Sequence, residues 1–298
     1  MLSKAGIVVG TRDRTILVSV VFLTKNGGYL LEEALQAISN QELPPNLQYE
    51  ILAVDSGSED STVEILNQYG VKTCSIQPLE FNFGKTRDLA FGLARGEILI
   101  SLSQDAVPSN PHWLTNLITP FFADKQVALV QGLEFPRCDC NFYWSRLGLF
   151  YFTRETRQWI NSYGTGVSFV GCAIRRSAWE NCKLGLVEMS EDKVFQKKLI
   201  DIGYKIVAVE DAVYYHSHDY TLKSLVLRCK NEGLGWKHVG VNYSIRDMLL
   251  DLFNIHIHTE LVKALLNKQI HSMQELFFPI IRPIFIFLGN HYSKKYTR

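Results

Sequence analysis

Polar side chains able to do chemistry recur in this sequence directly after apolar runs of strand length. The ones that follow three such runs are Asp55, Ser56, Gln104, Asp105, His216 and His218. Because ligands of open α/β sheets bind outside the carboxyl ends of the strands, we expect these side chains to converge on one sheet edge. Carboxylates and imidazoles are suited to holding a metal-bound phosphate ester and to removing a proton from a hydroxyl. The pattern therefore indicates chemistry on a phosphorylated ligand.

Two of these carboxylates each have a functional and a structural interpretation. Asp55 opens the Ser- and Asp-rich segment 55–62, where it could accept a hydrogen bond from a ribose or base, or only shape a helix-capping turn. Asp105 could hold Mg²⁺ or Mn²⁺ together with phosphate oxygens, or cap the turn before Pro108. Taken alone, neither residue decides between its two interpretations.

Two cations stand in the first turns of a predicted helix. Lys85 and Arg87 lie in the segment 83–88, where the helix dipole disfavours positive charge by up to about 1 kcal/mol each. An anion should compensate them. A ligand diphosphate would do so, and a local carboxylate such as Glu80 is the alternative.

Two further pairs of residues each have both a functional and a structural interpretation. Glu191 and Asp192 begin an amphipathic helix, either as a simple cap or as a general base that takes a proton from an attacking hydroxyl. His216 and His218 lie two residues apart, so an extended strand would put both imidazoles on the same side. They fit a transition-metal site or an ordinary pair of surface histidines.

Bulk composition excludes several classes of protein. The 298 residues are 47% hydrophobic and 20% charged, which is typical of a globular domain with a sizeable core. The net charge is +1 and no Lys/Arg block stands out, so we expect no nucleic-acid partner. The six cysteines form no disulfide framework and indicate reduced thiols in a cytosolic protein. We see no secretory signal and no apolar run long enough to span a bilayer.

Strands and helices alternate over the first half of the chain. The predicted strands are 16–23, 51–54, 71–76, 98–102, 127–133 and, later, 167–174 and 206–215. Such alternation is typical of βαβ units, and it predicts an α/β, Rossmann-like, mostly parallel sheet with helices on both faces. We expect three regions: an N-terminal tail over 1–15, a catalytic domain over 16–220, and a helical C-terminal region over 221–298.

The apolar segment 276–288 has two interpretations. It is interrupted by Pro279, Arg282 and Pro283 and is followed by further cations near the end of the chain. It could lie in a membrane interface as a peripheral contact. The alternative is a helix that packs on the catalytic domain or at a homodimer contact.

The chemically active segments occur in an order that one family uses. They are Val20–Asn26, Val54–Thr62, Phe83–Arg87, Ser103–Pro108, Ser190–Asp192 and His216–Tyr220. Together they resemble glycosyltransferase family 2, which has the GT-A fold, and within it the bacterial rhamnosyltransferase-like group that builds surface polysaccharides. The resemblance covers roughly residues 16–240, and it is specific to the superfamily rather than to a substrate.

The resemblance implies a role for each matching residue. The positions that match nucleotide and donor binding are Thr24, Asn26, Asp55, Ser56, Lys85, Arg87 and Gln104. Asp105, with His216 or His218, matches the site of Mn²⁺ or Mg²⁺, and Asp192, with Glu191 beside it, matches the catalytic base. The sequence departs from the pattern at Ser103, where the metal motif often has its first Asp, and at Asp88, where many members have Asn.

The implied activity is an inverting transfer of a sugar from a UDP- or dTDP-sugar to a hydroxyl. The acceptor would be a glycan or a lipid-linked glycan of surface polysaccharide synthesis, in the cytoplasm or at the inner face of its membrane. Two alternatives remain. One is a nucleotide-sugar-binding scaffold without catalysis. The other is a sugar nucleotidyltransferase, although no Gly-rich Lys/Arg loop follows the first strand.

Overall fold

A single eight-stranded sheet forms the centre of the molecule. The computed structural model describes residues 16–297, so the predicted N-terminal tail 1–15 lies outside the described residues. The strands are β1 (Ile16–Thr24), β2 (Leu47–Asp55), β3 (Lys72–Ser75), β4 (Ile98–Leu102), β5 (Val107–Pro108), β6 (Val127–Phe135), β7 (Gly171–Arg175) and β8 (Lys205–Tyr215). Their order across the sheet is β3-β2-β1-β4-β7-β6-β8-β5.

Most strand pairs are parallel, as predicted. β1 pairs in parallel with β2 and β4, β2 with β3, and β6 with β8, whereas β7 runs antiparallel between β4 and β6, and β5 antiparallel to β8. β7 begins four residues later than predicted. The reason is that the amides of Val167 and Ser168 bond to the side chains of Gln196 and Gln131, not to the backbone of a neighbouring strand.

Thirteen α-helices connect the strands or follow them within residues 16–297. They are α1 (Gly28–Ser39), α2 (Thr62–Gln68), α3 (Phe83–Leu93), α4 (Trp113–Ile118), α5 (Pro120–Ala123), α6 (Tyr143–Arg146), α7 (Arg154–Tyr163), α8 (Arg176–Asn181), α9 (Glu191–Asp201), α10 (Leu222–His238), α11 (Ile245–Leu252), α12 (Ile255–Leu266) and α13 (Met273–Tyr292). One turn of 3₁₀-helix, Pro78–Glu80, precedes α3.

Helices cover both faces of the sheet, because its strands are apolar on both sides. In β1, Val18, Val20 and Phe22 face one core and Val21 faces the other. The first core contains α1, α2 and α4, and the second contains α3, α8 and α9. This confirms the predicted α/β architecture, and it leaves the strand ends as the open part of the sheet.

A third apolar core holds the C-terminal helices. It joins side chains of segment 140–152 to α10, α12 and α13. α13 continues through Pro279 and Pro283 and buries Phe278 and Ile286 in this core. The inner face of segment 276–288 therefore packs against the rest of the protein, as the second of its two interpretations predicts. Within residues 16–297, no helix combines the length and the apolar character needed to cross a bilayer.

Candidate active site

The register of the sheet brings the predicted site segments to one edge. Thr24 pairs with Asp55 at the ends of the parallel strands β1 and β2. Leu102, at the end of β4, pairs with Gly171 at the start of antiparallel β7. β6 and β8 run in the direction of β4, so their last residues reach the same edge. The segments that follow these strand ends are therefore neighbours in space.

Asp55 organises the loop after β2. Its carboxylate accepts hydrogen bonds from the amides of Gly57 and Ser58 (3.0 and 2.9 Å) and from the hydroxyls of Ser58 and Thr24 (2.6 and 2.9 Å). Burial raises the pKa of Asp55, but these hydrogen bonds, with Ser58 first, outweigh it and lower the pKa below its ordinary value. Ser56 is buried beside it and donates to the Thr24 carbonyl. A contact of Asp55 with a nucleoside stays a prediction.

Gln104 connects the loop after β4 to the loop after β1. Its Oε1 accepts from the Lys25 amide (2.9 Å), and its Nε2 donates to the Lys25 carbonyl (3.0 Å). Asn26 follows in a left-handed backbone conformation (φ 50°), and its Oδ1 accepts from the Glu59 amide at 2.8 Å. The two loops predicted to bind the nucleotide are therefore fixed to each other and to the segment that carries Asp105.

Asp105, His216 and His218 form a compact cluster at this edge. One potential ligand atom of each lies within 4.8 Å of the others. Nε2 of His216 and Nδ1 of His218 are each 3.6 Å from an Asp105 carboxylate oxygen. The hydroxyl of Ser103 donates to Oδ1 of Asp105 at 2.7 Å. Ser103 therefore orients this carboxylate.

Glu134, at the end of β6, is a member of this cluster that the sequence analysis missed. Its Oε1 lies 3.0 Å from Nδ1 of His216, and its Oε2 accepts from the Tyr214 hydroxyl at 3.3 Å. Burial lowers the pKa of His216, but Asp105 and Glu134 outweigh it and raise the pKa to about 10. The strand-end rule that selects Asp55 and Asp105 would also have selected Glu134.

The pKa values of the other two members of the cluster, His218 and Asp105, are both lowered. Loss of solvation, and then the neighbouring His216, lower the pKa of His218 to about 4. Burial raises the pKa of Asp105, but the hydrogen bond and charge of His216, followed by His218 and Ser103, bring it well below its usual range. Asp105 is therefore ionised and His218 neutral near pH 7.

The donor set of this cluster fits a divalent cation. One carboxylate and two neutral imidazoles are ligands that Mn²⁺, Zn²⁺ and related ions accept, so a bound ion would have to displace the proton on the Asp105-facing nitrogen of His216. The carboxylate of Glu134 on the far nitrogen of His216 is the outer partner that metal-bound histidines usually have, and it fixes the orientation of the ring. The predicted metal residues are thus brought together, and the contacts needed to orient them are present.

The side chain of Arg87 is buried. Its guanidinium lies 3.1 Å from the Glu191 carboxylate, donates to the Ser101 hydroxyl (2.7 Å) and stands over the Phe169 ring (4.7 Å to the centroid). Only 9% and 10% of the Arg87 and Glu191 side chains are exposed. The carboxylate beside Arg87 is therefore Glu191 and not Glu80, and a contact of Arg87 with a diphosphate stays a prediction. Burial raises the pKa of Glu191, and the charge of Arg87 offsets this only in part.

Asp192 is the more accessible of the two acidic residues at the start of α9. Its side chain is 20% exposed, and its Oδ1 accepts from the Lys193 amide at 2.7 Å. The Lys193 ammonium lies 3.4 Å from its Oδ2 and also donates to the Val167 carbonyl, at the β7 side of the sheet edge. Lys85 is exposed in the first turn of α3, and it forms no ion pair within residues 16–297.

The loop 184–190, which leads into α9, is held against α3. Asp88 accepts from the Trp179 indole (2.7 Å) and from the Gly185 amide (2.8 Å). A Cβ at Gly84 would lie 2.3 Å from the Gly185 carbonyl oxygen, so only glycine permits this approach. Both carboxylate oxygens of Asp88 thus accept hydrogen bonds that hold this loop, so Asp88 has a structural task in this chain.

We predict that the Arg87–Glu191 pair stabilises the fold as well as the position of α9. Replacing Arg87 with methionine leaves the Glu191 carboxylate buried without its partner, and we expect a loss of about 3–5 kcal/mol in the free energy of unfolding. Urea denaturation measures this value. The control is Arg95→Met, because Arg95 is 72% exposed in its pair with Glu50 and should cost under about 1 kcal/mol. An equal loss in the free energy of unfolding in the two variants would contradict a stabilising role for the Arg87–Glu191 pair.

Comparison with known proteins identifies the family. Residues 19–182, more than half of the chain, match the model of glycosyl transferase family 2. The chain is 30% identical over 216 residues to the O-antigen chain rhamnosyltransferase RfbN of Salmonella typhimurium, covering 68% of this chain and 67% of that protein. It is 32% identical over 187 residues to WbaN of Salmonella anatum, covering 59% of each. The chain belongs to glycosyl transferase family 2 and is a glycosyltransferase.

Solved structures show the same fold. The mannosyltransferase PcManGT of Pyrobaculum calidifontis, in complex with GDP-Man and Mn²⁺, superposes with a TM-score of 0.65 over 94% of this chain and 88% of its own, at 16% identity. Glucosyl-3-phosphoglycerate synthase of Mycobacterium tuberculosis, in complex with Mn²⁺, UDP-glucose and phosphoglyceric acid, gives 0.58 over 76% and 81%, also at 16% identity. At these identities the likeness establishes the GT-A-type fold alone.

Proposed function

We propose that this glycosyltransferase moves a sugar, with inversion, from a UDP- or dTDP-sugar to a hydroxyl of a glycan or lipid-linked acceptor of surface polysaccharide. Rhamnose is the sugar suggested by the names of the two Salmonella relatives. The reaction would take place in the cytoplasm or at the inner face of its membrane. The observation that carries the proposal is the gathering of Asp105, His216 and His218, with their ligand atoms within 4.8 Å of one another, just after the ends of β4 and β8.

The proposed cofactor is Mn²⁺ or Mg²⁺, held by Asp105, His216 and His218. Mn²⁺ is present in the mannosyltransferase and synthase structures named above, and Mg²⁺ in another structure of the synthase. A divalent cation at this position supplies Lewis-acid stabilisation of the charge that develops on a leaving diphosphate. Lys85, exposed at the start of α3, is the side chain we assign to the same diphosphate.

Asp192 is the residue we propose as the general base. Its partly exposed carboxylate takes the proton of the acceptor hydroxyl while that oxygen attacks the anomeric carbon from the face opposite the diphosphate. Glu191 is unsuited to this step, because it is buried against Arg87. We therefore assign Glu191 and Arg87 to positioning the start of α9. We assign Thr24 and the remaining predicted donor-binding residues to shaping the nucleotide pocket.

Release of nucleoside diphosphate from a panel of sugar nucleotides tests the proposed reaction. The panel contains dTDP-rhamnose, UDP-glucose and GDP-mannose, each with and without Mn²⁺. We expect slow, metal-stimulated release of the nucleoside diphosphate from one donor, and faster release when a glycan acceptor is added. A scaffold would bind a donor without releasing anything. A nucleotidyltransferase would form sugar phosphate and nucleoside triphosphate when pyrophosphate is supplied, and either result would contradict the proposal.

Glu134 provides a separate test of the metal site. We expect Glu134→Gln to weaken Mn²⁺ binding by about 10–100-fold, because the His216 ring loses the carboxylate that orients it. Calorimetric titration of Mn²⁺ in the presence of a nucleoside diphosphate measures the affinity. Glu210→Gln, at an exposed position of β8, is the matched control and should leave it unchanged. Equal affinities in both variants would remove Glu134 from the site.

A further inference from the structure

The helix α12 is apolar on two opposite faces. Ile257, Leu261 and Ala264 point into the C-terminal core, as their burial and spacing require. On the opposite side of the same helix, Ile255 and Leu266 are 81% and 78% exposed, with Val262 between them at 54%. A surface helix needs one apolar face to pack on the core, so a second apolar face turned to solvent indicates a binding partner.

The helices before and after α12 in the chain also carry exposed apolar side chains. Phe253, at the junction of α11 and α12, is 74% exposed, Ile245 in α11 is 61% exposed, and Met273 at the start of α13 is 60% exposed. We call Ile245, Phe253, Ile255, Val262, Leu266 and Met273 the C-terminal apolar surface. Isolated exposed apolar residues are common, but a concentration of this size within about thirty residues marks an interaction site.

The acidic side chains of this region are all engaged. Asp251 and Glu275 are buried and hydrogen-bonded within the protein. Asp247 pairs with Arg154, and Glu260 with Lys263 at 2.6 Å.

The basic side chains around the surface are free to meet an anion. Arg246, next to Ile245, and Lys268, two residues after Leu266, are exposed and form no ion pair among the residues that the structure describes. The net charge displayed beside the C-terminal apolar surface is therefore positive. Apolar side chains bordered by unpaired cations complement an anionic lipid surface, where the chains enter the interface and the cations meet the headgroups.

We propose that the C-terminal apolar surface docks on an anionic phospholipid bilayer. Phe253 and Ile255, on either side of the α11–α12 junction, enter the headgroup region, while Arg246 and Lys268 contact anionic lipid. The surface lies mainly on α11 and α12, outside the segment 276–288 that the sequence singles out. Docking on a bilayer is a separate property from the transfer reaction, and it can be measured without a donor or an acceptor.

Sedimentation with vesicles tests the proposal. The vesicles contain either phosphatidylcholine alone or phosphatidylcholine mixed with phosphatidylglycerol. We expect the protein to bind the phosphatidylglycerol vesicles and to dissociate as salt is added, since salt screens the lipid–cation attraction. The double variant Phe253→Ser/Ile255→Ser should bind at least about tenfold more weakly, because two exposed apolar side chains no longer leave water. The control is Leu79→Ser, which changes a fully exposed leucine in the 3₁₀ turn before α3 and should bind like the unaltered protein.

Two results would overturn the proposal. One is equal binding, or no binding, of the unaltered protein and the double variant to both kinds of vesicle. The other is a dimer in sedimentation equilibrium that the double variant abolishes, because the occupant of the surface would then be a second copy of the chain. Since both substituted residues are largely exposed, circular dichroism should show an unchanged fold and an unchanged melting temperature.

Discussion

Replacing Asp192 with asparagine is expected to lower the turnover of glycosyl transfer by about 10²–10⁴-fold, the usual contribution of a general base. Asparagine keeps the shape of the side chain and can still accept the 2.7 Å hydrogen bond from the Lys193 amide, so the start of α9 should remain in place. What is lost is the ability to take a proton. Because Asp192 is not among the residues assigned to the nucleotide, the affinity for the nucleoside diphosphate should change little.

The matched control for Asp192 lies at the other end of the same helix. Asp201→Asn, an exposed position at the end of α9, removes the same charge from the same element and should leave turnover unaltered. Turnover is measured with saturating donor and acceptor, and nucleotide affinity by calorimetry. Full activity of Asp192→Asn would exclude Asp192 as the base. Loss of nucleotide affinity along with turnover would assign Asp192 to donor binding instead.

Replacing Asp105 with alanine is expected to abolish the metal-dependent part of nucleotide binding. Loss of an outer partner of a metal ligand typically costs 10–100-fold in affinity, so loss of the carboxylate that contacts both histidines should cost about 100-fold or more. The nucleoside pocket after β1 and β2 should survive, because Gln104 fixes it through its own two hydrogen bonds to Lys25. Calorimetry of nucleoside diphosphate binding with and without Mn²⁺ separates the two contributions.

Asp211→Ala is the matched control for Asp105. Asp211 is an exposed residue of β8, the strand that leads into His216, and its removal should leave metal-dependent binding intact. If Asp105→Ala binds the nucleotide as strongly with Mn²⁺ as the unaltered protein does, the cluster is an ion pair between His216 and a carboxylate and not a metal site.

Strand and helix positions in the α/β part could be predicted because their signals are local. β4 was placed at its actual bounds, Ile98–Leu102, since a short apolar run between turns has few other structures open to it. The start of β7 was misplaced, because Val167 and Ser168 bond to side chains from distant parts of the chain. The antiparallel direction of β7 also depends on long-range packing that no local pattern encodes.

The sequence predicts which residues belong to the site better than it predicts which partner each residue contacts. Asp105, His216 and His218 were grouped correctly in space, because each follows a strand that ends at the same edge. The position of Arg87 in a first helical turn predicts a compensating anion, and the fold shows that Glu191, 104 residues away, lies beside it. Residue type and helix position reveal that a cation needs an anion, but not which anion the tertiary structure supplies.

The measurement that tests the central claim most directly is thermal unfolding with UDP, dTDP and GDP, each with and without Mn²⁺ and Mg²⁺. A ligand that binds only the native state stabilises it by about 2.7 kcal/mol at 100 times its Kd. We predict that one nucleoside diphosphate raises the melting temperature, that a divalent cation enlarges the increase, and that Asp105→Ala removes the enlargement. An unchanged melting temperature with every nucleotide, with and without metal, would contradict a nucleotide–metal site at this edge of the sheet.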